Sequence, residues 1–124
     1  MRFVDSTVIV DALRYYEPAI LWLKAQKEQL YVSRIVQLEI IQGTRDRAEM
    51  RSALRVLLQS APITPTQEDI DWAIDQQLSL HLRLRPGIND LLIAATCHRL
   101  SAEFFTHNLK HFTPLIGALA LQPY

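Results

Sequence analysis

The sequence is poor in several features that mark particular classes of protein. Its 124 residues contain one cysteine, Cys97, which excludes an internal disulfide and any CxxC metal site. We therefore expect a small, buried thiol in a reducing compartment. Net charge is also absent, because thirteen basic residues balance thirteen acidic ones. Binding to a nucleic acid would then depend on a local basic patch rather than on total charge.

Long apolar runs and low-complexity tracts are missing as well. No run approaches the ~20 apolar residues of a membrane-spanning helix, and Asp5 lies where a signal peptide needs an apolar centre. Glycine and proline are spread singly, without a linker or an internal repeat. We expect one cytoplasmic domain over residues 1–124, with no membrane partner and with a real core from its 49% hydrophobic residues.

Short apolar runs alternate along the chain with longer helical patterns. The predicted strands are 2–5, 30–33, 61–63, 103–106 and 118–122, and the predicted helices are 6–14, 20–30, 34–42, 46–59, 66–84 and 89–100. This alternation indicates a three-layer α/β/α fold around a parallel sheet of four to five strands. Ligands of such sheets bind at the carboxyl ends of the strands.

Three carboxylates occupy unusual positions in this pattern. Asp5 ends the first strand, Glu39 lies on a mostly apolar helix face, and Asp90 opens an apolar helix after a Pro-Gly break. Each has an ordinary explanation when it is taken alone. Asp5 would be a turn residue, Glu39 would belong to an exposed stripe of its helix, and Asp90 would interact with the helix dipole. Together they can converge only at the carboxyl edge of the sheet. Because clustered carboxylates repel one another, the pattern favours Mg²⁺ or Mn²⁺ and phosphodiester chemistry.

Other charged residues are expected to lie outside this cluster. Asp11 follows Asp5 by six residues, a rise of about 9 Å along a helix, so we expect a solvated or capping residue. A polar helix face with no special role is expected for Asp69, Asp71 and Asp75.

Basic residues form two groups, and such groups are most often solvated faces. One group recurs at helical spacing: Arg45, Arg47, Arg51 and Arg55. In the other group, Arg83 and Arg85 lead into the Asp90 segment, so we expect these two to contact phosphate. The four histidines show no metal-ligand spacing.

Four motifs in order carry a family resemblance over nearly the whole chain. They are FVDSTVIVD, VSRIVQLEIIQG, INDLLIAATCHRL and FFTHNLKHF. The sequence resembles PIN-domain ribonucleases, in particular the VapC toxins of bacterial and archaeal toxin–antitoxin pairs. Its first, third and fourth motifs are similar to the DTSVLID-type, nDllIAA and T-x-N/D-x-x-x-F motifs of that family, and the second carries the middle Glu.

The resemblance implies a PIN-like fold and a Mg²⁺- or Mn²⁺-dependent endoribonuclease. It further implies the toxin of a type II toxin–antitoxin system, inhibited by a cognate antitoxin and forming a homodimer. Early helices with Trp22, Leu23, Leu54 and Leu58 would supply the partner surfaces, unless these residues are simply core.

By position, the resemblance implies that Asp5, Glu39 and Asp90 bind the metal and act in catalysis with Asn108. Thr7 and Thr106 correspond to hydroxyl residues that support the site, and we expect them to contact the substrate. Arg83 and Arg85 are expected to contact the substrate as well. The chain departs from the family at Asn108, where many members have a fourth acid, and at His111, where an Asp often stands. This thinner negative cluster predicts one ion in the free protein and a second that arrives with RNA.

Three alternatives to a nuclease also place an acid or an RNA-binding surface at this position of the fold. A haloacid-dehalogenase-type phosphotransferase needs a second acid two residues after Asp5, where this chain has Thr7. A phospho-receiver domain needs an acid pair at strand one and a phosphorylatable Asp after the third strand, which the segment APITPTQ lacks. A catalytically weakened PIN-like module that only binds RNA or protein stays open, because Asn108 replaces an acid.

Overall fold

The structure is a computed structural model that describes residues 1–124, and a parallel sheet lies at its centre. The strands are β1 (Arg2–Val4), β2 (Leu30–Ser33), β3 (Ala61–Ile63), β4 (Glu103–Phe105) and β5 (Ala120–Leu121). The α-helices are α1 (Ser6–Leu13), α2 (Glu17–Ala25), α3 (Arg34–Gln42), α4 (Arg47–Leu57), α5 (Gln67–Leu84), α6 (Ile88–Leu100) and α7 (Leu109–Ile116). A 3₁₀ turn, Gly117–Leu119, precedes β5.

The strand order is β3-β2-β1-β4-β5, and every neighbouring pair is parallel. The central strand β1 therefore lies between β2 and β4, and Val4 pairs with Phe105 at the carboxyl end. The residues that follow these strands, Asp5 and Thr106, are neighbours at one edge although 101 residues separate them. The predicted parallel α/β sheet with helices around it is confirmed.

The core sits between the sheet and the helices. Phe3, Val32 and Phe104 of the three middle strands have no exposed surface. Helix α6 buries Leu91 and the whole stretch from Ile93 to Cys97, as its apolar middle predicts for a helix packed on several sides. Cys97 is a free, buried cysteine, which confirms the expected small core residue. No helix combines the length and the apolar character that a membrane crossing requires.

Helix ends follow the sequence signals closely where a cap is present. Ser33 accepts a hydrogen bond from the backbone N–H of Ile35 at 3.1 Å and so begins α3. Thr66 and Asp69 form a reciprocal capping box at the start of α5. Helix α2 begins at Glu17 rather than at the predicted residue 20, because Pro18 lies in its first turn, where a proline is tolerated.

Helix α7 was not predicted, since its segment contains Pro114 and is followed by Gly117. Local sequence signals there are typical of a loop. The helix forms nonetheless, because its apolar face buries Phe112, Leu115 and Ile116. The rings of Phe112 and Phe104 pack 4.6 Å apart, so α7 covers β4.

The expectation that Asp69 belongs to an ordinary polar face was wrong. Asp69 has no exposed surface and accepts hydrogen bonds from Arg99 Nε and Thr96 Oγ1, each at 2.7 Å. Burial alone would raise the pKa of Asp69, but the bonds from Arg99, Thr66 and Thr96 hold it below its ordinary value. The cap places this side chain inward, where it joins α5 to α6. Asp71 and Asp75 are exposed, as expected.

Candidate active site

Asp5 is a buried carboxylate held on both of its oxygens. It follows β1, caps α1 and is only 2% exposed. Its Oδ1 accepts from the Ser6 N–H at 2.7 Å and lies 3.3 Å from the Ser6 hydroxyl. Its Oδ2 accepts from Thr106 Oγ1 at 2.7 Å and from Thr7 Oγ1 at 3.3 Å. The carboxylate is therefore fixed in direction before any ligand binds.

The loop after β4, residues 106–108, supports these hydroxyls in turn. The His107 N–H donates to Thr7 Oγ1 at 3.1 Å, and the Asn108 N–H donates to Thr106 Oγ1 at 2.9 Å. Thr106 was predicted to contact substrate, but it has no exposed surface. Its hydroxyl instead positions Asp5, which corrects that prediction.

Glu39 and Asp90 lie close enough to Asp5 for their charges to act on one another. Burial raises the pKa of Glu39, and the charges of Asp5 and Asp90 raise it further, against the opposing effect of the Asn89 side chain. The pKa of Asp5 is raised by burial and by Asp90, although its hydrogen bonds oppose the shift. The pKa of Asp90 is raised as well, chiefly by burial. The three predicted acids thus lie near enough to one another for their charges to interact.

The donor set suits a hard divalent cation, since it consists of carboxylates with a mutual repulsion that a cation would relieve. As these side chains lie, however, no group of three or more His, Cys, Asp and Glu residues is gathered closely enough to hold a metal ion. Asp5 directs its oxygens to hydroxyls, and Asp90 is paired with a histidine. The carboxylates are suitable ligands for a metal ion, but in this structure their side chains lie farther apart than a bound ion would require.

Residues 2–112 of the chain match the family model of the PIN domain. The chain belongs to the PIN domain family. It is also 32% identical over 118 residues to Ribonuclease VapC19 of Mycobacterium tuberculosis, covering 90% of this chain and 92% of that protein.

Solved structures share the fold of this PIN domain at lower identity. A toxin–antitoxin complex from Klebsiella pneumoniae has a TM-score of 0.80 at 20% identity, covering 100% of this chain and 98% of that one. VapBC-1 from nontypeable Haemophilus influenzae gives 0.78 at 22% identity, covering 98% and 96%. VapBC2 from Rickettsia felis, bound to a promoter DNA fragment, gives 0.76 at 21% identity, covering 98% and 97%.

His111 is a residue of this PIN domain's site that the histidine spacing did not predict. Its Nδ1 lies 3.3 Å from Asp90 Oδ2, and the contact lowers the pKa of Asp90 against the effect of burial. One signal was present in the sequence, because His111 stands where the resembling family often has an acid. The first turn of α6 and the third residue of α7 meet at this contact.

The remaining predicted residues, Asn108, Arg83 and Arg85, have exposed side chains. Asn108 is exposed at the N-cap position of α7, and its side chain makes no capping hydrogen bond. Arg83 and Arg85 are exposed near the end of α5, and Arg85 adopts a left-handed conformation with φ 47°. Gly87, two residues later, lies against the site, since a Cβ there would come within 3.9 Å of Asp90 Oδ2.

A groove of about 730 Å³ extends from Glu39 between α1, α3 and α4. Its apolar lining includes Val10, Leu13 and Ile40, and the exposed Tyr15 stands at its rim with φ 59°. Arg45 and Glu49 form an ion pair along one wall at 2.9 Å. Of the three predicted acids, only Glu39 lines this groove.

Proposed function

We propose that this PIN domain is a Mg²⁺- or Mn²⁺-dependent endoribonuclease that hydrolyses RNA phosphodiester bonds as the toxin of a type II toxin–antitoxin pair. The observation that supports the proposal is the proximity of Asp5, Glu39 and Asp90: the charges of Asp5 and Asp90 raise the pKa of Glu39, and the charge of Asp90 raises the pKa of Asp5. The similarity to a protein named Ribonuclease VapC19 supports the activity, and the likeness to solved toxin–antitoxin complexes supports the partner.

Asp5, Glu39 and Asp90 are the residues that would hold the metal. When bound, the ion would supply a Lewis acid and an activated water for attack at phosphorus. Thr7 and Thr106 keep the Asp5 carboxylate aimed at the site, and Asn108 presents an exposed amide at its rim. With an amide at Asn108 in place of a fourth acid, the free protein would bind one ion, and a second would arrive with RNA.

Arg83 and Arg85 are proposed as the RNA contacts. Both side chains are exposed and form no ion pair within the chain, so their charges are available to phosphate. Arg85 also precedes Gly87, whose backbone lies beside Asp90. Since the whole chain carries no net charge, such local contacts would have to supply the attraction for RNA.

The antitoxin is proposed to bind in the groove beside Glu39 and so to cover the acidic cluster. A segment with apolar side chains would match the floor formed by Val10, Leu13 and Ile40. A basic side chain at its end would meet the carboxylates, where it is electrostatically favoured. Trp22 and Leu23, which the sequence offers for a partner surface, are partly buried and pack against the core.

A second copy of the chain is proposed to pair along α5. Four aliphatic side chains recur at four-residue spacing on this helix and are exposed: Ile70, Ile74, Leu78 and Leu82. Antiparallel pairing of two α5 helices about a two-fold axis would cover this stripe of apolar side chains.

The proposed activity is tested by RNA cleavage with Mn²⁺, comparing the wild-type protein with Asp5→Asn. We expect cleavage by the wild type only, and its loss when EDTA is added. Asp75→Asn is the matched control, since Asp75 is exposed on α5, and it should cleave normally. Equal cleavage by wild type and Asp5→Asn would remove Asp5 from the mechanism and overturn the proposal.

The alternative is a catalytically weakened PIN-like module that binds RNA or protein. It is favoured by two observations, the amide at Asn108 and the pairing of His111 with Asp90. The same assay decides between them, because this module would bind the RNA and leave it uncut in the presence of Mn²⁺.

A further inference from the structure

Three side chains outside the carboxylate cluster meet beside the loop of residues 106–108. Tyr124 donates its hydroxyl to Asp11 Oδ2 at 2.7 Å, and His107 Nε2 lies 3.9 Å from the same oxygen. The rings of His107 and Tyr124 pack edge to face with their centroids 4.5 Å apart. We call these residues the Asp11–His107–Tyr124 cluster. Asp11 is therefore partnered, rather than simply solvated or capping as the sequence suggested.

The ring of Tyr124 is fixed by aromatic packing as well as by its hydroxyl. It lies 6.5 Å from the Trp22 ring and 6.1 Å from the Tyr16 ring. Trp22 in turn packs 5.0 Å from Phe105, the residue directly before Thr106. Contacts of this kind hold a side chain in one orientation. Tyr124 thus connects α1, α2 and the end of β4.

The cluster is connected to Asp5 in two ways, one through hydrogen bonds and one through helix α1. The backbone N–H of His107 donates to Thr7 Oγ1, and that hydroxyl donates to Asp5 Oδ2. On the other side, Asp11 belongs to α1, the helix that Asp5 itself caps. The loop is therefore attached to α1 at its first turn through Thr7 and at its second through Asp11.

We propose that Asp11, His107 and Tyr124 are positioning residues that hold the loop of residues 106–108 against α1. They thereby keep the hydroxyls of Thr7 and Thr106 on the Asp5 carboxylate. The catalytic consequence rests on the proposed nuclease function, whereas the positioning itself does not. The bond from Tyr124 to the carboxylate of Asp11 is charge-assisted and so stronger than a neutral hydrogen bond.

The experiment compares Tyr124→Phe and Asp11→Asn with the wild type, since each change spares the surrounding packing. Amide hydrogen exchange of His107 and Asn108, measured by NMR without RNA, reports the loop directly. We expect exchange to accelerate on the order of tenfold in either variant, with the amides of β1 and β2 unchanged. Tyr16→Phe is the control, because Tyr16 lies beside Tyr124 and its hydroxyl makes no hydrogen bond.

Two further measurements separate positioning from a general loss of stability. Binding of Mn²⁺ should weaken in Tyr124→Phe, and kcat for RNA should fall while KM stays unchanged. The double variant Tyr124→Phe, Asp11→Asn should show less than the sum of the two single effects, because both changes weaken the Tyr124–Asp11 hydrogen bond. If the two residues acted independently, the effects of the single variants would add in the double variant.

Unchanged exchange at His107 and Asn108 in folded Tyr124→Phe and Asp11→Asn proteins would overturn the proposal. Faster exchange with unaltered Mn²⁺ affinity and kcat would overturn the positioning role. If the wild type cleaves no RNA, the proposed nuclease function fails separately, and the exchange and Mn²⁺ data still decide the role of the cluster.

Discussion

Thr106 donates its hydroxyl to Asp5 Oδ2 at 2.7 Å across 101 residues of sequence. Neither residue has appreciable exposed surface, so the bond forms in a water-poor environment where it is strengthened. It exists because β1 and β4 are neighbours in the sheet and both end at the same edge. The direction of the Asp5 carboxylate is thus set in part by a residue that lies 101 positions away along the chain.

We predict that Thr106→Val impairs both the site and the fold. Removing the hydroxyl takes one hydrogen bond from Asp5 and leaves the Asn108 N–H without its acceptor, costing about 1–3 kcal/mol of stability. RNA cleavage should fall on the order of tenfold, because a positioned carboxylate becomes free to turn.

Urea unfolding and cleavage rates measure the two effects. Thr113→Val, on the exposed face of α7, is the control, and wild-type cleavage by Thr106→Val would refute the prediction.

Much of the fold could be predicted, because the sheet elements carry strong local signals. Strands 30–33 and 61–63 were predicted at the bounds that the structure has. The cap residues Ser33 and Thr66 set the starts of α3 and α5, since their side chains bond the first free N–H groups. Helix α7 escaped prediction because burial of its apolar face outweighs the local effect of Pro114.

The site could be predicted only in part, for a related reason. Asp5, Glu39 and Asp90 are anomalous in their own local patterns, so each could be found singly and then combined. The partners of Asp11, Asp69 and Asp90 could not be predicted this way. Tyr124 lies 113 residues from Asp11, and Arg99 lies 30 residues from Asp69, so only the folded chain brings these partners together.

Asp69→Asn should destabilise the protein strongly without touching the carboxylate cluster. The change leaves the Arg99 guanidinium without its buried partner, and breaking such pairs costs about 3–5 kcal/mol. We expect about 2–4 kcal/mol here, since Arg99 is partly exposed to water. Chemical unfolding measures the loss. Asp75→Asn, exposed on the same helix, should change stability little.

The contribution of Asp69 should also depend on pH in a defined direction. Its pKa in the folded protein is below the ordinary value of about 3.9, so the ionised form stabilises the fold above that pH. This stability is lost as pH falls through the folded pKa. The difference in unfolding free energy between wild type and Asp69→Asn should thus be constant from about pH 5 to 8 and shrink below about pH 4. A difference that grows in acid would contradict this assignment.

Leu78→Glu together with Leu82→Glu should dissociate the proposed dimer. These side chains are 82% and 88% exposed, so the folded monomer loses little when they change. Four added charges across a two-fold interface repel, and we expect the dissociation constant to rise at least about 100-fold. Analytical ultracentrifugation measures it. Leu58→Glu, 84% exposed on the segment that ends α4, is the comparison. A dimer that survives the α5 changes would exclude this face.

The most direct test is calorimetric titration of Mn²⁺ into the free protein at about pH 7, in wild type, Glu39→Gln and Asp90→Asn, with Glu49→Gln as control. Glu49 lines the same groove but pairs with Arg45, so its change should not affect binding. We expect one Mn²⁺ site in the wild type and an affinity at least about tenfold weaker in Glu39→Gln and in Asp90→Asn. Two tight sites without RNA would contradict the single-ion prediction. Absent binding, or wild-type affinity in Glu39→Gln and Asp90→Asn, would contradict the metal site itself.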